Sequence, residues 1–189
     1  MIYFTSDTHY GHKNVIRFCN RPFESVEHME IEMISRWNSR VTQQDTVYIL
    51  GDFVMDKKDK LKSILNRLNG TIRLVRGNHD KIIKGAAVNL FDWVKDYYEL
   101  KSPCGTKIVL SHYPFEVWNR SHHGSWHLHG HSHGTLDFKD IKRLDVGVDE
   151  HDFYPISIDE VAEIMKNRGF DAPDGHGRRI NEREDSKNH

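Results

Sequence analysis

Short apolar runs alternate with amphipathic stretches along most of the chain. Six runs have the length and the β-branched or aromatic content of strands, and each is bounded by Gly, Asp, Asn or Pro. These runs span residues 2–6, 46–50, 72–75, 107–110, 126–128 and 143–148. Three further stretches repeat apolar residues every three or four positions, which predicts helices. Alternating strands and helices are typical of an α/β domain.

The first two helical stretches lie between predicted strands. One runs from Val26 to Val41, with Ser25 or Glu24 in its first turn. The other runs from Leu61 to Leu68 and stops at the pair Asn69-Gly70, since Gly commonly ends a helix. We attribute the apolar stripe of each helix to packing in the core.

The third helix and the end of the chain differ sharply in composition. Ser157 precedes Glu160 by three positions, which is the spacing of a capping box, and the helical pattern continues to Gly169. From residue 171 onward the chain has almost nothing apolar to bury. Since 189 residues suffice for one core, we expect one domain at residues 1–170 and a flexible polar tail at residues 171–189.

Composition narrows the class of protein. The formal net charge is -1, without the basic excess that long duplex nucleic acids attract. Cys19 and Cys104 form no spacing motif, which favours a reducing compartment over a disulfide framework. No apolar run approaches membrane length, and the first motif starts too early to follow a signal peptide. We therefore expect a cytoplasmic protein without a membrane partner.

Five short segments carry side chains that commonly bind metals, and each follows a predicted strand. They are Asp7-Thr8-His9, Gly51-Asp52, Gly77-Asn78-His79-Asp80, Ser111-His112 and Gly130-His131-Ser132-His133. A lone His is more often hydrogen-bonded or solvated than a metal ligand. Five such segments are not expected to occur together by chance in one short chain. Because α/β sheets bind ligands outside the carboxyl ends of their strands, we expect one metal site at a sheet edge.

The five segments offer seven donors and no thiolate. These donors are the oxygens of Asp7, Asp52 and Asn78 and the imidazole nitrogens of His9, His112, His131 and His133. Such a set suits Mn²⁺, Fe or Zn²⁺, and we favour Mn²⁺. Seven donors exceed what one first-row ion accepts once a water is kept. The sequence therefore predicts two divalent metal ions that share a carboxylate.

In this order, the five motifs resemble the calcineurin-like metallophosphoesterase superfamily over roughly residues 2 to 160. The opening Thr5-Ser6-Asp7-Thr8-His9-Tyr10-Gly11-His12-Lys13-Asn14 is similar to a compact single-domain branch from bacteria and phages, known mainly as predicted phosphoesterases. The resemblance implies a four-layer αββα sandwich with two mixed β-sheets and the metals at the sheet edge.

The resemblance also implies a role for each motif residue. One ion would be held by Asp7, His9, Asp52 and His133, and the other by Asp52, Asn78, His112 and His131. A hydroxide that bridges the two ions would attack phosphorus. His79 would then act as the general acid for the leaving alkoxide.

The segment after Asp52 departs from the superfamily. Many relatives have Gly-Asp-x-x-Asp-Arg-Gly, whereas this chain has Asp56 one position later and lacks the Arg. Asp56 or Asp80 could orient His79, so both are candidate catalytic residues. The missing Arg disfavours a phosphoprotein substrate.

Several side chains near the motifs have two interpretations. His12, Arg76 and Asn78 are candidates for contact with the substrate phosphate. His12 could equally make a surface hydrogen bond, and Arg76 could be a solvated residue at a strand end. Tyr113 could stack on a base or pack its loop. We interpret Asp149 as a support of the sheet edge.

The leading hypothesis is an enzyme that hydrolyses a small phosphodiester or nucleotide-like phosphate ester. A second hypothesis is a metal-dependent nuclease acting on single-stranded DNA or RNA, so nucleic acid is a less favoured partner. A third is a non-catalytic metal-binding scaffold. A scaffold would be expected to lose ligands or the acid, whereas this chain keeps all the motif residues.

Overall fold

The regular structure of the described residues, which are 1–55, 58–136 and 141–169 of this computed structural model, consists of nine strands and four α-helices besides short 3₁₀ turns. The strands are β1 (Ile2–Thr5), β2 (Thr46–Ile49), β3 (Thr71–Val75), β4 (Trp93–Lys95), β5 (Tyr98–Lys101), β6 (Lys107–Leu110), β7 (Trp126–His129), β8 (Arg143–Asp145) and β9 (Ile156–Ser157). The helices are α1 (Lys13–Phe18), α2 (Val26–Arg40), α3 (Lys58–Leu65) and α4 (Ile158–Lys166). All six predicted strands and all three predicted helices are present, which confirms the α/β class.

Two mixed β-sheets organise these strands. The first has the order β4-β3-β2-β1-β9 and the second has the order β5-β6-β7-β8. Neighbouring strands are parallel except at two edges, where β9 pairs antiparallel with β1 and β5 pairs antiparallel with β6. The carboxyl ends of β1, β2 and β3 therefore lie side by side, as do those of β6 and β7.

Helices α2 and α3 cover the outer face of the first sheet. The hydroxyl of Ser25 accepts a hydrogen bond from the backbone N–H of His28 at 3.1 Å, so Ser25 rather than Glu24 caps α2. Trp37 of α2 and Leu61 of α3 are buried in one cluster with side chains of β2 and β3. The stripes predicted for these helices are therefore core residues.

A second apolar cluster fills the space between the two sheets. Alternate residues of β2 contribute to different clusters, because side chains of a strand point to opposite faces. Val47 and Ile49 pack with the helices, whereas Tyr48 packs with Leu128 of the second sheet. Val161 of α4 belongs to the same cluster as Tyr48. The sheets are thus packed face to face through a shared apolar layer.

Loop residues pack on the outer face of the second sheet. The ring of His127 on β7 stacks on Phe115 with 5.1 Å between ring centroids, and Trp118 lies 5.4 Å away. The N–H of Phe115 donates to Nε2 of His127 at 3.0 Å. His127 and His129 are both buried. The helical fourth layer stays a prediction, because among the described residues these contacts come from a loop.

The sequence patterns missed three strands and one helix. The missed strands β4, β5 and β9 are all edge strands, where polar residues often replace the apolar alternation of a central strand. Helix α1 has six residues and buries only Val15, which is too little to form an apolar stripe. The polar tail predicted at residues 171–189 lies outside the described residues.

Candidate metal centre

The five predicted metal-binding segments follow β1, β2, β3, β6 and β7, and they meet at one edge of the two sheets. The backbone N–H of His131 donates to Asp7 Oδ2 at 2.8 Å. The backbone N–H of Val148 donates to the carbonyl of Ser6 at 3.1 Å. These bonds join the end of β1 to segments that follow the second sheet. The seven predicted ligands therefore share a single site.

Asp7, His9 and His133 form one group, called the Asp7 cluster below. Asp7 Oδ1 lies 3.9 Å from Nε2 of His9 and 3.9 Å from Nε2 of His133. Both distances are too long for hydrogen bonds, and Asp7 Oδ1 is buried without a hydrogen-bond partner among the described residues. Atoms that each lie about 2.0–2.2 Å from one metal are separated by distances of this order. The Asp7 cluster therefore fits a divalent ion.

Asp52, His112 and His131 form a second group, called the Asp52 cluster. Nδ1 of His112 lies 2.8 Å from the carbonyl oxygen of Leu50, so Nδ1–H is the donor and Nε2 carries a lone pair. That Nε2 faces Asn78 Oδ1 at 2.9 Å and Asp52 Oδ2 at 3.6 Å. Three acceptors therefore converge, an arrangement that a cation would satisfy.

The side chain of Asp52 lies between the two clusters. Its Oδ2 is 3.8 Å from Nε2 of His9 in the Asp7 cluster and 3.6 Å from Nε2 of His112 in its own cluster. This is the position that a shared carboxylate would need. Asn78 reaches the same region through His112. The structure thus brings the predicted ligands together as two adjoining sets.

Burial disfavours the charged forms of the side chains in the Asp7 cluster. Burial raises the pKa of Asp7 to about 6, and the neighbouring imidazoles of His112 and His133 partly offset this increase. It also lowers the pKa of His9 to about 2, which keeps this imidazole neutral and its lone pair free. A bound cation would compensate the cost of the buried carboxylate, and a neutral imidazole is the form that binds metals.

The backbone at the site is strained. Nine described residues other than Gly have a positive φ, and five of them are predicted ligands. These five are Asp7 at 54°, His9 at 50°, Asp52 at 52°, His131 at 69° and His133 at 46°. Each such residue costs about 1 kcal/mol or more. Strain concentrated in this way is typical of functional sites.

Two motif glycines allow the segments to approach each other. A Cβ added to Gly130 would lie 1.9 Å from Ser6 Oγ and 2.3 Å from Asp7 Oδ2. A Cβ added to Gly77 would lie 2.2 Å from Asp52 Oδ1. Real Cβ atoms do not come so close, so both positions require glycine for the carboxylates to stay where they are.

His79 lies beside the clusters rather than inside them. Its side chain is 44% exposed, and its Nε2 is 4.0 Å from Asp52 Oδ2. The backbone N–H of His79 donates to Asp52 Oδ1 at 2.8 Å. The imidazole is therefore partly exposed to solvent next to the carboxylate of Asp52. Asp56, one of its two predicted partners, lies outside the described residues.

The other predicted partner of His79, Asp80, is buried and engaged elsewhere. Its Oδ2 accepts the backbone N–H groups of Asp52 at 2.9 Å and Gly77 at 2.8 Å. Its Oδ1 accepts the N–H of Phe53 at 2.9 Å. Burial raises the pKa of Asp80, while these hydrogen bonds oppose the increase. We therefore expect Asp80 to hold two ligand-bearing loops together rather than to take part in catalysis.

The predicted substrate contacts differ in their surroundings. The ring of His12 lies 5.7 Å from the ring of His9, so it borders the Asp7 cluster. Asn78 contacts His112 within the Asp52 cluster. Arg76 instead donates to Asp96 Oδ1 at 3.1 Å. His12 and Asn78 thus line the site, whereas the guanidinium of Arg76 is paired next to it.

Sequence patterns did not indicate the contacts of two charged side chains, the buried Arg21 and the partly buried Asp149. The support of the sheet edge by Asp149 stays a prediction, and in the structure its Oδ2 lies 2.7 Å from Nδ1 of His133. Arg21 donates to both carboxylate oxygens of Asp149 at 2.8 Å. Burial would raise the pKa of Asp149, but His133 and Arg21 hold it below its usual value. No motif spacing indicated Arg21, whereas Asp149 does follow a strand, as the ligands do.

A thiol also lies next to the Asp7 cluster. Cys19 Sγ is 3.4 Å from Nδ1 of His133, so Cys19, His133 and Asp149 form a third group of potential ligands. Burial raises the pKa of this thiol, which disfavours the thiolate that binds metals. Both cysteines are free.

Within the residues described, none of the helices has the length and hydropathy needed to cross a membrane.

Proteins with similar sequences include one from Methanocaldococcus jannaschii and one from a mycobacterial phage. The uncharacterized protein MJ1445 of Methanocaldococcus jannaschii is 36% identical over 173 residues, which cover 87% of this chain and 91% of that protein. The Gene 66 protein of Mycobacterium phage D29 is 29% identical over 197 residues, covering 88% and 96% of the two chains. No protein-family model matches this chain.

Two solved structures are similar to different degrees. The protein of unknown function AQ665 from Aquifex aeolicus has a TM-score of 0.71 and 28% identity over 87% of this chain and 98% of its own. The nuclease MPE of Pseudomonas putida has a TM-score of 0.47 and 21% identity over 70% and 61% of the chains, which is too distant a likeness to support an argument. The identity to MJ1445 extends over most of both chains, and the protein described here belongs to the same family as MJ1445.

Proposed function

We propose that this protein is a metal-dependent phosphoesterase with the four-layer fold of the calcineurin-like metallophosphoesterase superfamily. Its proposed substrate is a small phosphodiester or a nucleotide-like phosphate ester. The observation that carries the proposal is the position of Asp52, whose Oδ2 lies within 3.8 Å of imidazole nitrogens in both clusters. A carboxylate shared by two ligand sets is what a two-metal site requires.

The donor chemistry supports two divalent ions, with Mn²⁺ as the proposed metal. The Asp7 cluster and the Asp52 cluster, together with Asn78, offer only oxygen and nitrogen atoms, which Mn²⁺ accepts. When bound, the ions would polarise the phosphoryl group and generate a nucleophile from water at neutral pH. The protein's own contribution is a rigid and largely buried frame, since Asp7, His9, Asp52 and His112 are all less than 5% exposed.

His79 is the proposed proton donor to the leaving oxygen. Its ring is half exposed beside Asp52 and outside both ligand groups, so it can face a substrate that contacts the site. Imidazole is a common general acid near neutral pH. The hydrogen bond from the backbone N–H of His79 to Asp52 Oδ1 keeps His79 next to the proposed shared ligand.

The test combines turnover with metal content. The purified protein with Mn²⁺ is expected to hydrolyse bis-p-nitrophenyl phosphate in preference to p-nitrophenyl phosphate. His79→Asn should lower kcat about 10²–10⁴-fold with metal content unchanged. His123→Asn is the matched control, because His123 is exposed in the turn before β7, at the opposite end of that strand from the site. A wild-type protein that binds metal but hydrolyses no phosphate ester would be a scaffold, and the proposal would be wrong.

Two exposed rings favour a substrate with planar bases and keep a single-stranded nuclease as the second candidate function. Tyr113 is 46% exposed, and its ring lies 4.7 Å from that of His131. Phe18 is 66% exposed, and its ring lies 6.4 Å from that of His12. Aromatic rings exposed beside a site provide surfaces on which successive bases can stack.

Short single-stranded DNA and RNA oligonucleotides at low salt distinguish the two functions. A nuclease should cleave them, and Tyr113→Ala should then raise KM about 10-fold or more, as the loss of one base–aromatic contact predicts. Val117→Ala is the matched control, since Val117 is exposed on the same loop at 49%. Hydrolysis of small diesters without cleavage of any oligonucleotide would exclude the nuclease.

A further inference from the structure

The imidazole of His133 lies between two carboxylates and makes a different contact with each. Its Nδ1 is 2.7 Å from Asp149 Oδ2, which is a short hydrogen bond. Its Nε2 is 3.9 Å from Asp7 Oδ1, which is too far for one. The proton of the neutral ring therefore belongs on Nδ1, and the lone pair of Nε2 points into the Asp7 cluster.

Asp149 is itself held in a fixed orientation by Arg21. Nε and Nη2 of Arg21 donate to Oδ1 and Oδ2 of Asp149, each at 2.8 Å, so the pair is bidentate. Arg21 is 5% exposed, and burial makes such a pair more rigid than one at the surface. The carboxylate therefore has little freedom to turn away from His133.

The same guanidinium also fixes the backbone of the first motif. Nη2 of Arg21 donates to the carbonyl of Asp7 at 2.7 Å, and Nη1 donates to the carbonyl of Thr8 at 3.0 Å. Arg21 thus joins the strained segment after β1 to the carboxylate that orients His133. One residue connects two parts of the Asp7 cluster that lie far apart in the chain.

We propose that Asp149, held by Arg21, is a positioning residue that sets the tautomer and orientation of His133 as a metal ligand. The inference rests on the metal site of the proposed function and adds the residues that aim one of its ligands. A carboxylate that accepts the second N–H of a ligating imidazole is a recurrent way of fixing such a ligand. Cys19 lies farther from the same nitrogen, at 3.4 Å, and is a weaker hydrogen-bonding group.

The first test needs neither metal nor activity. In the metal-free protein, ¹⁵N NMR of the imidazoles under alkaline conditions should show His133 protonated on Nδ1. Asp149→Asn should shift His133 toward a mixture of tautomers. Asp92→Asn is the matched control, because Asp92 accepts Nε of Arg73 at 2.7 Å in an exposed pair away from the site. An unchanged tautomer in Asp149→Asn would overturn the inference.

The second test measures metal affinity by calorimetry with Mn²⁺. Asp149→Asn should weaken one of two binding events about 10–100-fold, a typical effect of removing such a support, and leave the other unchanged. Asp92→Asn should bind like wild type. Arg21→Lys keeps the charge but loses the bidentate geometry, so it should give a smaller loss at the same event. It also replaces Asp149→Asn if that variant does not fold.

The outcomes separate this inference from the proposed function. Wild-type affinity at both binding events in Asp149→Asn, or equal losses at both, would contradict the positioning role even in an active enzyme. A protein whose His133 tautomer depends on Asp149 and which binds metal, but which hydrolyses no ester, would support the positioning role and contradict the phosphoesterase.

Discussion

Replacing Asp80 by Asn tests whether this residue is structural or catalytic. Its carboxylate accepts three backbone N–H groups, from Asp52, Phe53 and Gly77, at 2.8–2.9 Å. The side-chain amide of the Asp80→Asn variant could place its oxygen at the position of Oδ2, which accepts the N–H groups of Asp52 and Gly77. Its NH₂ group must then face the N–H of Phe53, so one hydrogen bond is lost and two donors oppose each other.

The magnitude follows from these contacts. A hydrogen bond to a charged group contributes about 1.5–3 kcal/mol, and a buried donor without a partner costs about 1–3 kcal/mol. Part of this loss is offset, because burial raises the pKa of Asp80 and the neutral amide avoids the cost of a buried charge. We expect a net loss of about 2 kcal/mol in the free energy of unfolding, which lowers Tm by about 4–8 °C.

Thermal unfolding, Mn²⁺ calorimetry and turnover should be measured on the same Asp80→Asn preparation, with Asp92→Asn as the surface control. Affinity for metal should fall together with Tm, because Asp80 fixes the backbone that carries Asp52 and Asn78. Wild-type stability and metal affinity combined with a large loss of kcat would refute this reasoning. That result would indicate that Asp80 takes part in catalysis.

Three further predictions concern packing, pH and metal. Gly77→Ala should abolish most metal binding, measured by elemental analysis, since its Cβ would lie 2.6 Å from the backbone nitrogen of Asp52. Gly85→Ala should retain metal binding, because its Cβ meets nothing within 4 Å and its positive φ of 59° costs only about 1–2 kcal/mol of stability away from the ligands. Burial lowers the pKa of His127 from 6.5 to about 3, so the unfolded chain takes up this proton first and stability falls as pH drops below about 6.5. The free energy of unfolding, measured with urea between pH 6 and 4, should therefore fall less steeply in His127→Asn than in wild type, by up to about 1.4 kcal/mol per pH unit. If the free energies of both proteins fell with the same slope, His127 would not be neutral in the folded state. Mn²⁺ at about 100 times its Kd should raise the free energy of unfolding by about 2.7 kcal/mol, and no rise in Tm would contradict binding to the native state.

The predicted elements show what local patterns can report. The central strands that lead into the site were all predicted, because they are short runs rich in β-branched or aromatic residues and bounded by Gly, Asp, Asn or Pro. The edge strands β4, β5 and β9 were missed. Because an edge strand is more exposed to water, charged residues interrupt the apolar pattern by which a strand is recognised. The capping box at Ser157 and Glu160 was predicted and is present, as it involves only residues within one helical turn.

The candidate ligands could also be predicted from local sequence, whereas their division into two sets that share Asp52 was implied only by the resemblance to a known superfamily. Each ligand lies two to four positions after the last residue of a strand, so its position at the sheet edge is a consequence of local sequence. The division into two clusters with Asp52 between them depends on how the two sheets pack. The catalytic role of Asp80 stays a prediction, whereas the backbone N–H groups that its carboxylate accepts could not be predicted, because adjacency in the chain does not determine which backbone groups a side chain reaches.

The sequence by itself determined the α/β class, the strands of the site and the residues offered to metal, because these depend on spacing and residue type over a few positions. The tertiary structure decided which groups support those residues. Asp149 reaches His133 across 16 positions, and Arg21 reaches Asp149 across 128. Contacts of this kind leave no periodic signal, since they form only when distant segments meet at the edge of the packed sheets.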